Sequence, residues 1–118
     1  KVFSIERHSE LHIKAKELFY QLKFNIQTRV GDGTIGWKEH APYEGIIVTA
    51  GGPDIPNSLA AQLKIGGKLV IPVGDDKVQT LHLAVKIDES HYEAKPLDDF
   101  RFVPLIGKEG WKDSSKGQ

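Results

Sequence analysis

Three short groups of residues have the types and spacing for chemistry on a nucleotide-like ligand. Glu6 closes the run Val2-Phe3-Ser4-Ile5, and a carboxylate placed directly after a Rossmann-type strand accepts hydrogen bonds from ribose hydroxyls. Asp32, within Gly31-Asp32-Gly33-Thr34, can accept a hydrogen bond from an adenine amino group. Thr49-Ala50-Gly51-Gly52 is a third polar, glycine-rich group. In a parallel α/β sheet, ligands sit beyond the carboxyl ends of the strands, where all three groups would fall. Taken singly, each has a plainer reading, a surface carboxylate or glycines that only form turns. Their coincidence at one sheet edge favours the ligand.

Other reactive side chains read as structural. His8 and His12 flank Glu10, but the acid lies two residues after the first histidine, which is not the HExxH order; both read as solvated helix histidines. His40, His82 and His91 have no evident partner, and Asp75-Asp76 and Asp98-Asp99 flank turns, where carboxylates are usually solvated. Trp37 and Trp111 read as packing residues. GxSxG and the P-loop are absent, and Gly31-Asp32-Gly33 with Gly36, although spaced as GxGxxG, is not expected to cradle phosphate. No metal site is expected.

The elements that would position these residues follow from periodicity. Val2 to Ile5 predicts a buried strand, and Ser9 a helix cap. Leu11, Ala15, Leu18, Phe19 and Leu22 share one helical face, with Asn25 at the exit. Ile26, Thr28 and Val30 alternate with polar residues, as in a strand with one polar face. Gly45 to Thr49 reads as a strand covered on both faces. A second helix should begin near Pro56 or Asn57, show Leu59, Ala60 and Leu63 on one face, and end at Gly66-Gly67, with a strand over Leu69–Val73. Thr80 to Ile87 predicts a strand, Asp88-Glu89-Ser90 a turn, and Tyr92-Glu93-Ala94 a return, with a further apolar run from Phe100 to Leu105. Strands alternating with helices imply a parallel, doubly wound α/β sheet finished by an antiparallel pair.

Composition narrows the classes. The 118 residues suit one domain, with 39% hydrophobic and 27% charged residues. Sixteen basic residues balance sixteen acidic ones, so no basic excess supports general binding of nucleic acid. The lack of cysteine excludes disulfides, thiolate metal sites and cysteine nucleophiles within these residues. No apolar run approaches the roughly 20 residues of a membrane span, and no signal peptide opens the chain, so a cytoplasmic location is expected. The chain contains no methionine and opens on a strand already under way, so sequence missing upstream is expected.

Several strings follow one another in a known order: Ser4-Ile5-Glu6-Arg7, Gly31-Asp32-Gly33-Thr34 with Gly36-Trp37, and Ala41-Pro42-Tyr43-Glu44-Gly45-Ile46-Ile47-Val48-Thr49-Ala50. They continue as Ile55-Pro56, Gln62-Leu63, Gly66-Gly67-Lys68-Leu69-Val70-Ile71-Pro72-Val73-Gly74 and Phe102-Val103-Pro104-Leu105. The ordered set closely resembles the protein-L-isoaspartate O-methyltransferase family. The resemblance implies a class I S-adenosylmethionine-dependent methyltransferase, a Rossmann-like α/β sheet, mostly parallel with an antiparallel C-terminal strand pair and incomplete in this chain. It implies S-adenosyl-L-methionine as cofactor, S-adenosyl-L-homocysteine as product, and damaged proteins containing L-isoaspartyl residues as substrates, repaired through a succinimide.

By position, the resemblance gives Glu6 the ribose hydroxyls, Arg7 a place along the cofactor, and Asp32 and Gly33 the adenine. Thr49 and Ala50 would border the methyl-transfer site, and Val103, Pro104 and Leu105 would wall the substrate pocket. Residues 1–107 would form the C-terminal part of the methyltransferase domain and 108–118 a polar tail. The family's first strand, its glycine-rich cofactor loop and its serine-bearing active-site loop precede Val2, so no catalytic residue is assigned. That strand would lie between the Val2 and Gly45 strands, so a split sheet, self-association through open edges and no activity in the isolated 118 residues are expected. A non-catalytic nucleotide-binding or interaction module of this fold, and a same-fold methyltransferase with another substrate, are the alternatives.

Overall fold

A computed structural model describes residues 1–75, 77–100 and 105–112, with the backbone alone considered for 98–100. The chain divides into two compact units, Lys1–Gly33 and Thr34–Gln118.

The first unit is a β-α-β unit of β1 (Val2–Glu6), α1 (Ser9–Gln21) and β2 (Ile26–Val30). β1 and β2 pair in parallel, from Val2 opposite Ile26 to Glu6 opposite Val30. The expected Ser9 cap is displaced by one residue: Ser9 is the first helical residue and His8 the N-cap, with no side-chain cap. Instead Glu6 Oε1 accepts the His8 N–H at 3.1 Å, so the carboxylate ahead of the helix orders the approach to it. The helix exit comes at Lys23, earlier than Asn25. Lys23 adopts φ +60°, its N–H reaches Tyr20 O at 3.1 Å, and the Phe24 N–H reaches Phe19 O at 2.9 Å. That pair of bonds is a Schellman motif with lysine in the left-handed position. The apolar face of α1 is present but incompletely covered: Ala15 and Phe19 are half-buried while Leu11, Leu18 and Leu22 stay exposed, and Val2 of β1 is exposed as well.

The second unit contains β3 (Tyr43–Ile47), α2 (Asn57–Ala61), β4 (Leu63–Gly74), β5 (Gln79–Asp88) and β6 (His91–Phe100). The strands pair in that order, β3 with β4 in parallel, then β4 with β5 and β5 with β6 antiparallel. The described strands therefore form separate two- and four-stranded sheets. β5 and β6 turn through Glu89 and Ser90, the antiparallel return expected from sequence.

Two readings are corrected here. α2 ends at Ala61, not at Gly66-Gly67, and β4 already begins at Leu63. The glycine pair lies inside the strand: Tyr43 pairs with Leu63 but Gly45 with Lys68, so the intervening residues bulge outward, with Gly66 at φ +83°. β3 begins two residues early and is not covered on both faces, because Ile47 is 78% exposed and β4 is its one described strand partner.

The core of this unit is Ile55, Leu59, Leu63, Leu69, Ile71, Ala84 and Leu105, with Ile46, Val48, Ala50 and Val73 packed against it. Leu105 lies outside any strand, and 101–104 lie outside the described residues. Lys86 of β5 is buried and donates from Nζ to Ala61 O at 3.2 Å and Leu63 O at 3.1 Å. Its charge thus meets the free carbonyl end of α2.

Candidate functional site

The pairing of β1 with β2 is level at its carboxyl end, and the Gly31 N–H donates to Glu6 O at 3.1 Å. Glu6-Arg7 and Gly31-Asp32-Gly33 therefore leave the same edge of one parallel pair, as their spacing suggested. Glu6 is half-buried; one carboxylate oxygen takes the His8 N–H and the other has no hydrogen bond among the described residues. Arg7 Nη1 lies 3.1 Å from His8 Nε2. Around Gly33 there is open space: a β-carbon there would meet nothing within 4 Å. A carboxylate with an open acceptor and a turn with room beside its backbone fit the hydroxyl pair and the flat base of an adenosyl group.

In the second unit the parallel run of β3 continues past Ile47. The Val48 N–H reaches Val70 O at 2.9 Å, the Gly52 N–H reaches Pro72 O at 3.1 Å, and the Gly74 N–H returns to Gly52 O at 3.0 Å. Thr49 to Gly52 thus lies at the carboxyl ends of β3 and β4, with Thr49 exposed and Ala50 half-buried on the core. Leu105 donates its N–H to Gly51 O at 2.5 Å, which joins the one described residue of the expected substrate wall to this loop. Its side chain packs in the core. Val103 and Pro104 lie outside the described residues.

Sequence reasoning passed over four residues that hold these loops. Gln79, 4% exposed, lies against Gly51 so closely that a β-carbon on Gly51 would collide with its carboxamide. Its Nε2 donates to Asp75 O at 3.3 Å, while its Oε1 is buried without a partner among the described residues. A glutamine immediately before the run Thr80 to Ile87 was the available signal. Gln62 is satisfied at both ends, accepting the Trp37 N–H at 3.1 Å and donating to Ile35 O at 2.9 Å. Trp37 also accepts from the Tyr43 hydroxyl through its carbonyl. Thr34, fully buried, accepts the Glu109 N–H at 3.0 Å. The Glu109 carboxylate takes the Ser58 N–H at 3.0 Å and the Ser58 hydroxyl at 2.5 Å. Nothing in the local sequence announces Glu109, which sequence had placed in the polar tail 108–118.

Three of the discounted groups, His12, His91 and Asp75, are locally engaged. His12 Nε2 lies 3.0 Å from Thr28 Oγ1, and His91 Nδ1 lies 2.9 Å from Asp88. Asp75 accepts the N–H groups of Val78 and Lys77, which hold its carboxyl below the usual 3.8. Among the described residues no cluster of three or more metal-ligating side chains occurs.

Strand-helix-strand units with a carboxylate closing β1, a turn after β2 and a glycine-rich loop after β3 are those of a truncated Rossmann-like fold of the class I S-adenosylmethionine-dependent methyltransferases. The sequence profile of the Protein-L-isoaspartate(D-aspartate) O-methyltransferase family matches residues 1–110, and the chain belongs to that family. Relatives named protein-L-isoaspartate O-methyltransferase include one from Pelotomaculum thermopropionicum, 49% identical over 115 residues, covering 97% of this chain and 50% of the relative. Another, from Protochlamydia amoebophila, is 49% identical over 116 residues, covering 97% and 55%. The chain thus spans about half the length of the curated relatives it matches. A solved protein-L-isoaspartate O-methyltransferase superposes with a TM-score of 0.84 at 30% identity, over 92% of this chain and 35% of that one. A Plasmodium falciparum structure described as a beta-aspartate methyltransferase in complex with S-adenosyl-L-homocysteine gives 0.76 at 25% identity, over 89% and 52%.

Proposed function

We propose that the full-length protein carrying these residues methylates the free carboxylate of L-isoaspartyl residues in damaged proteins, the step that opens their repair through a succinimide. The observation that carries this reading is the family match over residues 1–110. S-adenosylmethionine, when bound, supplies a sulfonium methyl group. A substrate carboxylate oxygen forms the new C–O bond as the S–CH3 bond breaks, and the sulfur keeps the electron pair, giving a methyl ester and S-adenosylhomocysteine. The reaction mainly needs positioning. Glu6 accepts from the ribose hydroxyls, Arg7 lies along the cofactor, and Asp32 with Gly33 borders the adenine. Thr49 and Ala50 border the transfer site, and Val103, Pro104 and Leu105 wall the substrate. No catalytic residue is assigned within these residues. The same reading places the protein in the cytoplasm; no helix among the described residues is long and apolar enough to cross a membrane.

The test is transfer of labelled methyl by the full-length protein to two peptides that differ only in an isoaspartyl or an aspartyl linkage. Labelling of the isoaspartyl peptide alone is the expected outcome. Equal labelling of both points to a same-fold methyltransferase with another substrate. Binding of S-adenosylhomocysteine with no transfer points to a non-catalytic module, and either result overturns the reading.

A further inference from the structure

We propose that Glu109 is a positioning residue of the cofactor site: by tying the backbone after the Asp32-Gly33 turn to helix α2, it sets the affinity for the cofactor. The inference rests on the methyltransferase reading above. Residues 105–111 form a closed strap, since the Trp111 N–H reaches Leu105 O at 2.7 Å and the Gly107 N–H reaches Trp111 O at 3.0 Å. The strap is fastened at three places. Leu105 bonds Gly51, in the loop after β3. Glu109 bonds Thr34 through its own N–H, and Ser58 through both carboxylate oxygens. Gly110 lets the strap lie close, because a β-carbon there would collide with Leu105 O and press on the Thr34 methyl at 3.1 Å.

Thr34 is the residue next to Gly33, where the adenine is expected, and Gly51 is next to Ala50, at the expected transfer site. Ser58 lies in the first turn of α2, whose other end is held to the 35–37 backbone by Gln62. Two charge-assisted bonds from one carboxylate fix its orientation, and with it the position of the N–H that holds Thr34. Thr34 offers no surface for a ligand, being fully buried. Glu109 therefore acts on the site through the backbone it holds, not by contact with cofactor.

The experiment compares Glu109→Ala, Glu109→Gln and Ser58→Ala in the full-length protein. The readouts are S-adenosylhomocysteine affinity by calorimetry, KM for S-adenosylmethionine and for an isoaspartyl peptide, kcat, and Tm. In Glu109→Ala, S-adenosylhomocysteine affinity should fall about tenfold and the cofactor KM rise to match, with kcat and peptide KM within about twofold. Glu109→Gln keeps one acceptor oxygen and should recover most of the loss. Adding Ser58→Ala to Glu109→Ala should change nothing further, because the two residues act as one unit. A folded Glu109→Ala protein with wild-type cofactor affinity, or with cofactor and peptide weakened alike, overturns the proposal. If Glu109→Ala fails to fold, the same split in Glu109→Gln and Ser58→Ala decides it. Glu109-dependent binding of S-adenosylhomocysteine without transfer to the isoaspartyl peptide supports this inference and overturns the functional reading alone. Absence of binding by the wild type overturns both.

Discussion

Gly51 has no room for a side chain, and the neighbour that excludes one is the buried Gln79 carboxamide. Gly51→Ala should therefore destabilise the protein by about 1–3 kcal/mol, the usual cost of forcing atoms into a packed site. The strain comes from a side chain, so Gln79→Ala added to Gly51→Ala should restore part of the loss. Denaturant titration of the single and double variants measures this; a double variant no more stable than Gly51→Ala would assign the cost to the backbone. Gln79 also carries a buried carbonyl oxygen without a partner among the described residues, a feature that costs stability and is uncommon in a well-packed interior.

At the scale of elements, the helix exit and the β4–β5 turn give two further expectations. Lys23 occupies a left-handed position that glycine adopts without steric cost. Lys23→Gly should raise stability by about 1 kcal/mol, less the extra entropy of a glycine in the unfolded chain, as read from the denaturation midpoint. Asp75 accepts the Val78 and Lys77 N–H groups, which lower its pKa from 3.8. A group with a depressed folded pKa stabilises fully above its unfolded value and loses that contribution as pH falls through the folded one. Asp75→Asn should thus lower Tm at neutral pH, and the gap from wild type should close as pH falls below 3.8 and through the lowered folded pKa. A gap independent of pH would mean that ionisation of Asp75 is irrelevant. These same elements show what was legible. α1 and β2 carry clean periods and were found within a residue or two. α2 was overextended because Leu63 continues the helical spacing and a glycine pair reads as a stop. Pairing with β3 makes that pair a bulge, which no local pattern encodes.

Across the whole molecule, the apolar surface is the pronounced feature. Among the described strands β1 pairs with β2 alone and β3 with β4 alone, and Val2 and Ile47 are exposed on them. Unpaired edges with apolar side chains template association with other strands. The 118-residue chain should self-associate in sedimentation velocity, in proportion to concentration, and Ile47→Lys should reduce it. A monomer at all concentrations would show that these edges do not pair between copies.

The sequence by itself determined the family, the alternation of strands and helices, and the level placement of Glu6 and the 31–33 turn. These rest on short-range periods and on an ordered set of strings, both readable along the chain. Only the tertiary structure decided what holds the loops. Glu109 meets Ser58 from 51 residues away and Thr34 from 75. Gln79 became the partner of Gly51 by opening the strand antiparallel to β4. Such bonds depend on which strands pair and in what register, and no spacing in the linear sequence carries that information.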